Sequence, residues 1–225
     1  MTYPLTHDLR PWWTFPITVV DCETTGVDVR EHRVIEVGAV RFEQGIPVRF
    51  FSSLIASVDE VSEEITGITG IRASDLIGAP RFNHVVPRLY ALAHGSIVAA
   101  FNAEFDQSFF LSEMSRTQFQ LGGPLFDPNA SWLDPLVWSR QVDRYVKGGH
   151  KLSTVCERYN IALDGAHRAD ADATAAGRVL FAMRKRIGDM TIGETLRLQR
   201  IFAEQQEQRF QEWKMKKEAS GGSQG

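Results

Sequence analysis

The residues best placed to do chemistry are Asp21 and Glu23, in the run Asp21-Cys22-Glu23-Thr24-Thr25-Gly26 that closes the apolar stretch Ile17–Val20. Side chains alternate faces along a strand, so the two carboxylates point the same way and Cys22 points the other. Like charges on one face repel, and burial deepens the penalty. A divalent metal with hard oxygen ligands is the simplest cation to relieve it. Two more acidic positions sit beside element ends. In Asn102-Ala103-Glu104-Phe105-Asp106, after the apolar run Ile97–Phe101, Asp106 falls in the first turn of a helix, where the macrodipole favours negative charge. In His167-Arg168-Ala169-Asp170-Ala171-Asp172, His167 precedes a helix and Asp172 lies about one turn into it. That spacing lets Asp172 reach a metal while His167, on a more mobile loop, reaches a water.

The elements that must position these groups follow from patterning. Strands are expected at Ile17–Asp21, Arg33–Phe42 and Pro47–Leu54, with a hairpin turn at Gln44-Gly45. Ile65-Thr66-Gly67-Ile68-Thr69-Gly70 reads as a loop. Phe82, Val85, Val86, Leu89 and Leu92 recur at helical spacing. Ile97–Phe101 is a short buried strand, and Asn102 is a natural N-cap for the next helix. Trp132-Leu133-Asp134 reads as a short last strand leading into a helix near Pro135. Leu152, Val155, Cys156 and Tyr159 make one apolar helix face, and Ala169–Ile187 is an alanine-rich helix. Strands first, then strand and helix in alternation, give a mixed α/β sheet with helices on both faces.

The chain has 225 residues, 43% hydrophobic and 24% charged, enough for one well-cored domain with chain to spare. A net charge of -3 excludes a general polyanion binder, so any nucleic-acid site must be local, with metal offsetting its carboxylates. No apolar stretch reaches membrane-span length, and Met1–Arg10 lacks a signal-peptide core. Cys22 and Cys156 form neither a disulfide framework nor a zinc pattern. The expectation is a cytoplasmic protein with no membrane partner. Residues 1–16 form an irregular segment, packed on the domain despite the exposed-looking pair Trp12-Trp13. Residues 17–187 form the domain itself. Residues 188–225 form an extension with Leu196, Leu198, Ile201, Phe202, Phe210 and Trp213 among charged residues, helical to about Lys217 and disordered over Ser220–Gly225. Its apolar stripe must be buried against the domain or another chain.

The three acidic segments resemble the motifs of the DnaQ-like 3′-to-5′ exonucleases of the DEDDh type, the group that includes the proofreading subunit of bacterial DNA polymerase III. Asp21, Glu23, Thr25 and Gly26 match the first motif. Asn102, Phe105 and Asp106 match the second, and His167, Ala169, Asp172 and Ala173 the third. The resemblance implies a ribonuclease H-like fold with a five-stranded mixed sheet flanked by helices. It also implies two Mg²⁺ or Mn²⁺ ions held by Asp21, Glu23, Asp106 and Asp172, clamping the attacking and leaving oxygens of a phosphodiester. His167 is then the general base, since an imidazole of pKa about 6.5 takes a proton at neutral pH. Thr24, Thr25, Gly26, Ile68, Asn102 and Phe105 are the implied contacts to the 3′-terminal nucleotides.

The function implied is 3′-to-5′ removal of nucleotides from single-stranded DNA, in proofreading or repair, releasing nucleoside 5′-monophosphates. Two alternatives stay open: an exoribonuclease that trims RNA, and a polymerase-associated binding module docking through the C-terminal helix with residual nuclease activity. His150 is the rival base, and Arg30, Arg33 and Arg168 are plausible phosphate contacts.

Overall fold

A computed structural model describes residues 8–117, 122–163 and 167–221. Strands β1 (Ile17–Thr24), β2 (Val34–Glu43) and β3 (Ile46–Leu54) form an antiparallel meander, and β4 (Ile97–Ala99) lies parallel to β1, giving the order β3-β2-β1-β4. The β2–β3 turn places Gln44 at φ 51° and Gly45 at φ 87°, the left-handed pair that suits the twist of a tight hairpin. Helix α1 is Glu63–Thr69, α2 Phe82–Ala93, α3 Ala103–Ser115, α4 Pro135–Val142 and α5 Leu152–Arg158. Then come α6 (Ala169–Ala182), the short α7 (Arg184–Ile187) and the long α8 (Ile192–Gly221).

The sheet separates two apolar cores. On one face Val20, Cys22, Val37 and Val98 pack with Phe82, Val86, Leu89, Phe109 and Phe110 of α2 and α3. On the other, Ile17, Val19, Val40 and Phe42 pack with Ala173, Ala176, Val179 and Leu180 of α6. Asp21 and Glu23 have the parity of Ile17 and Val19, so they face α6, while Cys22 faces the other core. Small residues let α6 ride close to β2: a Cβ on Gly38 would stand 2.1 Å from the backbone carbon of Ala169, and one on Gly177 would stand 2.2 Å from the Phe42 ring.

The structure corrects three local expectations and bears out the packing of the N-terminal segment through Trp12. Among the described residues the sheet has four strands rather than five: Leu133 makes one isolated parallel bridge to Ala99, because the Asp134 carboxylate caps α4 immediately afterwards and ends the ladder. The segment containing Gly67 is helical. Ser62 caps it through the Ile65 N–H (3.2 Å), Glu63 and Glu64 sit in its first turn, and Gly70 ends it at φ 72°, which outweighs one interior glycine. The N-terminal segment packs on the domain as expected: Trp12 is fully buried, its indole donating to the Gly188 carbonyl at 3.0 Å, and Trp13 is half-buried; residues 1–7 of this segment lie outside the described residues. Finally, α8 continues past Lys217 through Ser220 to Gly221, and residues 222–225 lie outside the described residues.

The first half of α8 belongs to the packed body. Ile192 and Thr195 are buried, and Phe202 meets the Trp138 ring edge-on at 5.4 Å. Gln199 accepts the Asp134 N–H (2.8 Å) and the Trp138 indole N–H (3.1 Å) and donates to the Trp132 carbonyl (2.9 Å). From Glu207 to Glu218 the helix is exposed, Phe210 and Trp213 included. No helix among the described residues is long and apolar enough to cross a membrane.

Candidate active site

The short β4 creates the site. It pairs with β1 only over Ile17–Val19, and the chain then turns into α3, leaving the edge of β1 open at Cys22. The turn passes through Asn102 in the left-handed region (φ 76°), a conformation that asparagine tolerates better than most residues. Asn102 occupies the N-cap position, but its side chain does not cap. The Asp134 carboxylate does that work, accepting the N–H groups of Asn102 (3.2 Å) and Ala103 (3.0 Å) while also starting α4. Asp106, one turn into α3, is buried, and its Oδ1 accepts the Cys22 N–H at 3.0 Å, the edge donor that β4 leaves over.

On the α6 side, Glu23, His167 and Asp172 converge. One ligand atom from each lies within 4.8 Å of the others. His167 stands exposed at φ 65°, just before α6, a backbone state that costs a non-glycine residue about 1–2 kcal/mol. Its N–H donates to Asp172 Oδ2 at 3.1 Å, which helps to hold the turn. Asp172 Oδ1 is buried with no hydrogen-bond partner among the described residues.

The electrostatics are those of a site built for a cation. Burial, then the charges of Asp106 and Glu23, drives Asp21 well above the usual carboxylate range. Burial, reinforced by Asp172 and Glu36, pushes Glu23 to about 7, and burial pushes Asp106 to about 8 against its bond from Cys22. Asp172 is also raised by burial. Arg168 beside Glu23 and His167 beside Asp172 oppose these shifts without cancelling them. Asp21 feels the charges of Asp106, Glu23 and Asp172, though only Glu23 and Asp172 bring ligand atoms together with His167. Neighbouring carboxylates with raised affinity for protons, one carrying a buried oxygen without a partner among the described residues, fit hard divalent cations.

The other residues singled out by sequence are placed as follows. Thr24 and Thr25 are buried, and their hydroxyls serve the chain: Thr24 Oγ1 donates to the Gly26 carbonyl (2.6 Å), and Thr25 Oγ1 accepts the Arg33 N–H (3.0 Å). Gly26 lies against the His32 ring, which a Cβ would meet at 2.4 Å. Ile68 is half-exposed on α1, and Phe105 packs on Phe109 at 4.9 Å. Arg33 forks onto buried Glu113 (2.7 and 2.8 Å), and Arg168 forks onto Glu36, so both guanidinium groups are already engaged with carboxylates. Arg30 is exposed on the loop after β1. His150 bonds Ser139 Oγ at 3.1 Å on α4, apart from the Glu23–His167–Asp172 group. Sequence reasoning passed over Glu36, fully buried on β2 directly opposite Glu23. A glutamate inside the apolar run Val34–Val40 was the available signal.

The mixed α/β sheet and the carboxylates at its open edge suit chemistry that depends on a divalent metal. The exonuclease family RNase_T matches residues 18–180, and the chain belongs to it, carrying an exonuclease domain of the RNase_T/DnaQ-like kind. It is 29% identical over 168 residues to the DNA polymerase III subunit epsilon of Treponema pallidum, covering 72% of this chain and 75% of that one. It is 31% identical over 167 residues to a PolC-type DNA polymerase III of Halalkalibacterium halodurans, covering 74% of this chain but 11% of that polymerase. Among solved structures, the nuclease domain of 3′hExo, a DEDDh family member bound to rAMP, shares the fold at TM-score 0.63 and 16% identity, covering 79% of this chain and 95% of that one. An exonuclease I shares it at TM-score 0.66 and 16% identity, covering 82% of this chain and 43% of that one.

Proposed function

We propose that the chain removes nucleotides singly from the 3′ end of single-stranded DNA and releases nucleoside 5′-monophosphates. Asp21, Glu23, Asp106 and Asp172 would hold two Mg²⁺ or Mn²⁺ ions, which when bound supply Lewis-acid stabilisation of the phosphodiester and of the attacking and leaving oxygens. His167 takes the proton of the attacking water on its unprotonated ring nitrogen. As the water oxygen bonds to phosphorus, the bond from phosphorus to the upstream 3′ oxygen breaks; that oxygen takes a proton from solvent to become a 3′-hydroxyl, and the terminal nucleotide leaves with the phosphate. Thr24, Thr25 and Gly26, with Asn102, Phe105 and Ile68, border the 3′-terminal nucleotides.

The observation that carries this reading is the convergence of Glu23, His167 and Asp172, with the buried Asp172 Oδ1 unpartnered among the described residues. Likeness to an epsilon subunit supports a proofreading or repair setting; residues 17–187 would be the catalytic unit, and the exposed Phe210 and Trp213 of α8 would meet a polymerase or other repair protein in the cytoplasm. RNA trimming is the second reading, supported by the likeness to a nuclease domain bound to rAMP. A 5′-labelled DNA strand and an RNA of the same sequence, each with Mg²⁺, Mn²⁺ or EDTA, separate the two, because the 2′-hydroxyl is what a protein reads to tell them apart. Faster shortening of the DNA from its 3′ end is the expected result; faster shortening of the RNA would exchange the readings.

A further inference from the structure

Glu36 sits in an unusual place. It lies on β2 directly across from Glu23, and carboxylates opposed across an antiparallel pair destabilise a sheet. Its side chain is fully buried, and its closest partners come from the start of α6 rather than from a neighbouring strand. Oε1 accepts Arg168 Nη2 (2.8 Å) and Nε (3.1 Å), with Ser52 Oγ at 3.5 Å, and Oε2 accepts the Ala169 N–H (3.2 Å). The Arg168 side chain is 56% exposed. A half-exposed arginine contributes little net stability, while burying the carboxylate is costly, so a role in stability alone explains the pair poorly. What a forked, two-point contact does well is fix direction. Residues 167, 168 and 169 are then each tied down. His167 is held by Asp172 through its N–H, and Arg168 and Ala169 are held by Glu36. Gly38, two residues along β2, lets the Ala169 backbone come down onto the sheet.

We propose that Glu36 and Arg168 are positioning residues for the exonuclease reaction: the pair clamps the left-handed turn before α6 and aims the His167 imidazole at the site of attack. The proposal rests on the reading of His167 as the base. Because Glu36 also faces Glu23 on the neighbouring strand, one carboxylate references the base to the strand that carries the acids. Arg168 acts through His167 and not as a contact to substrate phosphate.

The test uses full-length protein with 5′-labelled single-stranded DNA at saturating Mn²⁺. Arg168→Lys keeps the positive charge but loses the fork. It should lower kcat by about 10- to 100-fold, as expected of a misaimed base, and leave KM, Mn²⁺ affinity and Tm near their wild-type values. Glu36→Gln, which keeps the volume, repeats the test from the sheet side with the same expected loss. The His167→Ala/Arg168→Lys double variant should be no slower than His167→Ala alone. A rise in KM without a fall in kcat, or losses that multiply in the double variant, would overturn the clamp. Wild-type kcat in Arg168→Lys beside a crippled His167→Ala would overturn the clamp alone. Full activity in His167→Ala would overturn the base reading and the clamp with it.

Discussion

Gly38→Ala perturbs the site without touching any of its side chains. The new Cβ would stand 2.1 Å from the Ala169 carbon and 2.2 Å from the Ala169 oxygen and the Asp170 nitrogen, all backbone atoms that cannot rotate away. Ordinary contact begins at 3.4 Å, so the first turn of α6 must retreat by roughly 1.3 Å, the difference between 3.4 and 2.1. Overpacking of this kind costs about 1–3 kcal/mol. At about 2–4 °C per kcal/mol for a chain of this size, Tm falls by about 2–12 °C. The same turn carries His167 and leads to Asp172, and misplacing a reacting group by about 1 Å costs on the order of 100-fold in rate. Gly177→Ala is the matched control. Its Cβ meets the Phe42 ring at 2.2 Å, more than a turn beyond Asp172, so it should lower Tm with little loss of kcat. The assay is kcat on single-stranded DNA at 25 °C, beside Tm from thermal melts of both variants. Gly38→Ala with kcat within twofold of wild type, or equal kcat losses in the two variants, would refute the claim that close docking of α6 on β2 aims the catalytic turn.

Two further outcomes follow from the same geometry. Carboxylates whose folded pKa is raised, Glu23 to about 7 and Asp106 to about 8, favour folding while protonated. Their contribution is therefore complete below the unfolded values of about 4 and is lost as pH rises through 7 to 8. In EDTA, Tm should fall between pH 5 and pH 8. Mn²⁺ should raise it most at the alkaline end, where no protons compete for the oxygens; an apo Tm that rises with pH would contradict the burial of these acids. For α8, deleting 208–225 should leave both Tm and nuclease activity near wild type. Deleting 189–225 removes buried Ile192, the Phe202–Trp138 contact and the three hydrogen bonds of Gln199, on the order of 5 kcal/mol. Circular dichroism melts of the two truncations distinguish a packed helix from a dispensable one.

Much of this architecture was legible because it is local. The apolar run before Asp21, the turn pair Gln44-Gly45 and the periodic Phe82, Val85, Val86 and Leu89 each declare their element within a few residues. The opposite facing of Asp21 and Cys22 follows from the pleat alone. What was not legible depended on distant partners. Asn102 looks like a cap, yet the capping oxygens come from Asp134, 32 residues away. Leu133 has the composition of a strand, but Asp134 commits the chain to α4 after one bridge. Glu36 acquires its place only once β1 and β2 are in register and α6 has docked. Helix α1 was missed because the glycines of Thr66-Gly67-Ile68-Thr69-Gly70 read as breakers, whereas only Gly70 breaks the helix.

The central claim is that Asp21, Glu23, Asp106 and Asp172 form one metal-dependent centre acting at a 3′ end. The most direct measurement follows the 3′-terminal nucleotide itself, using single-stranded DNA labelled on its last internucleotide phosphate, with Mn²⁺ or EDTA, against folded wild type and Asp106→Asn. The predicted result is immediate release of labelled nucleoside 5′-monophosphate, with Mn²⁺ only, and reduced by at least ~100-fold in the variant. Label released first as an oligonucleotide, or at the same rate in EDTA or in Asp106→Asn, would contradict it.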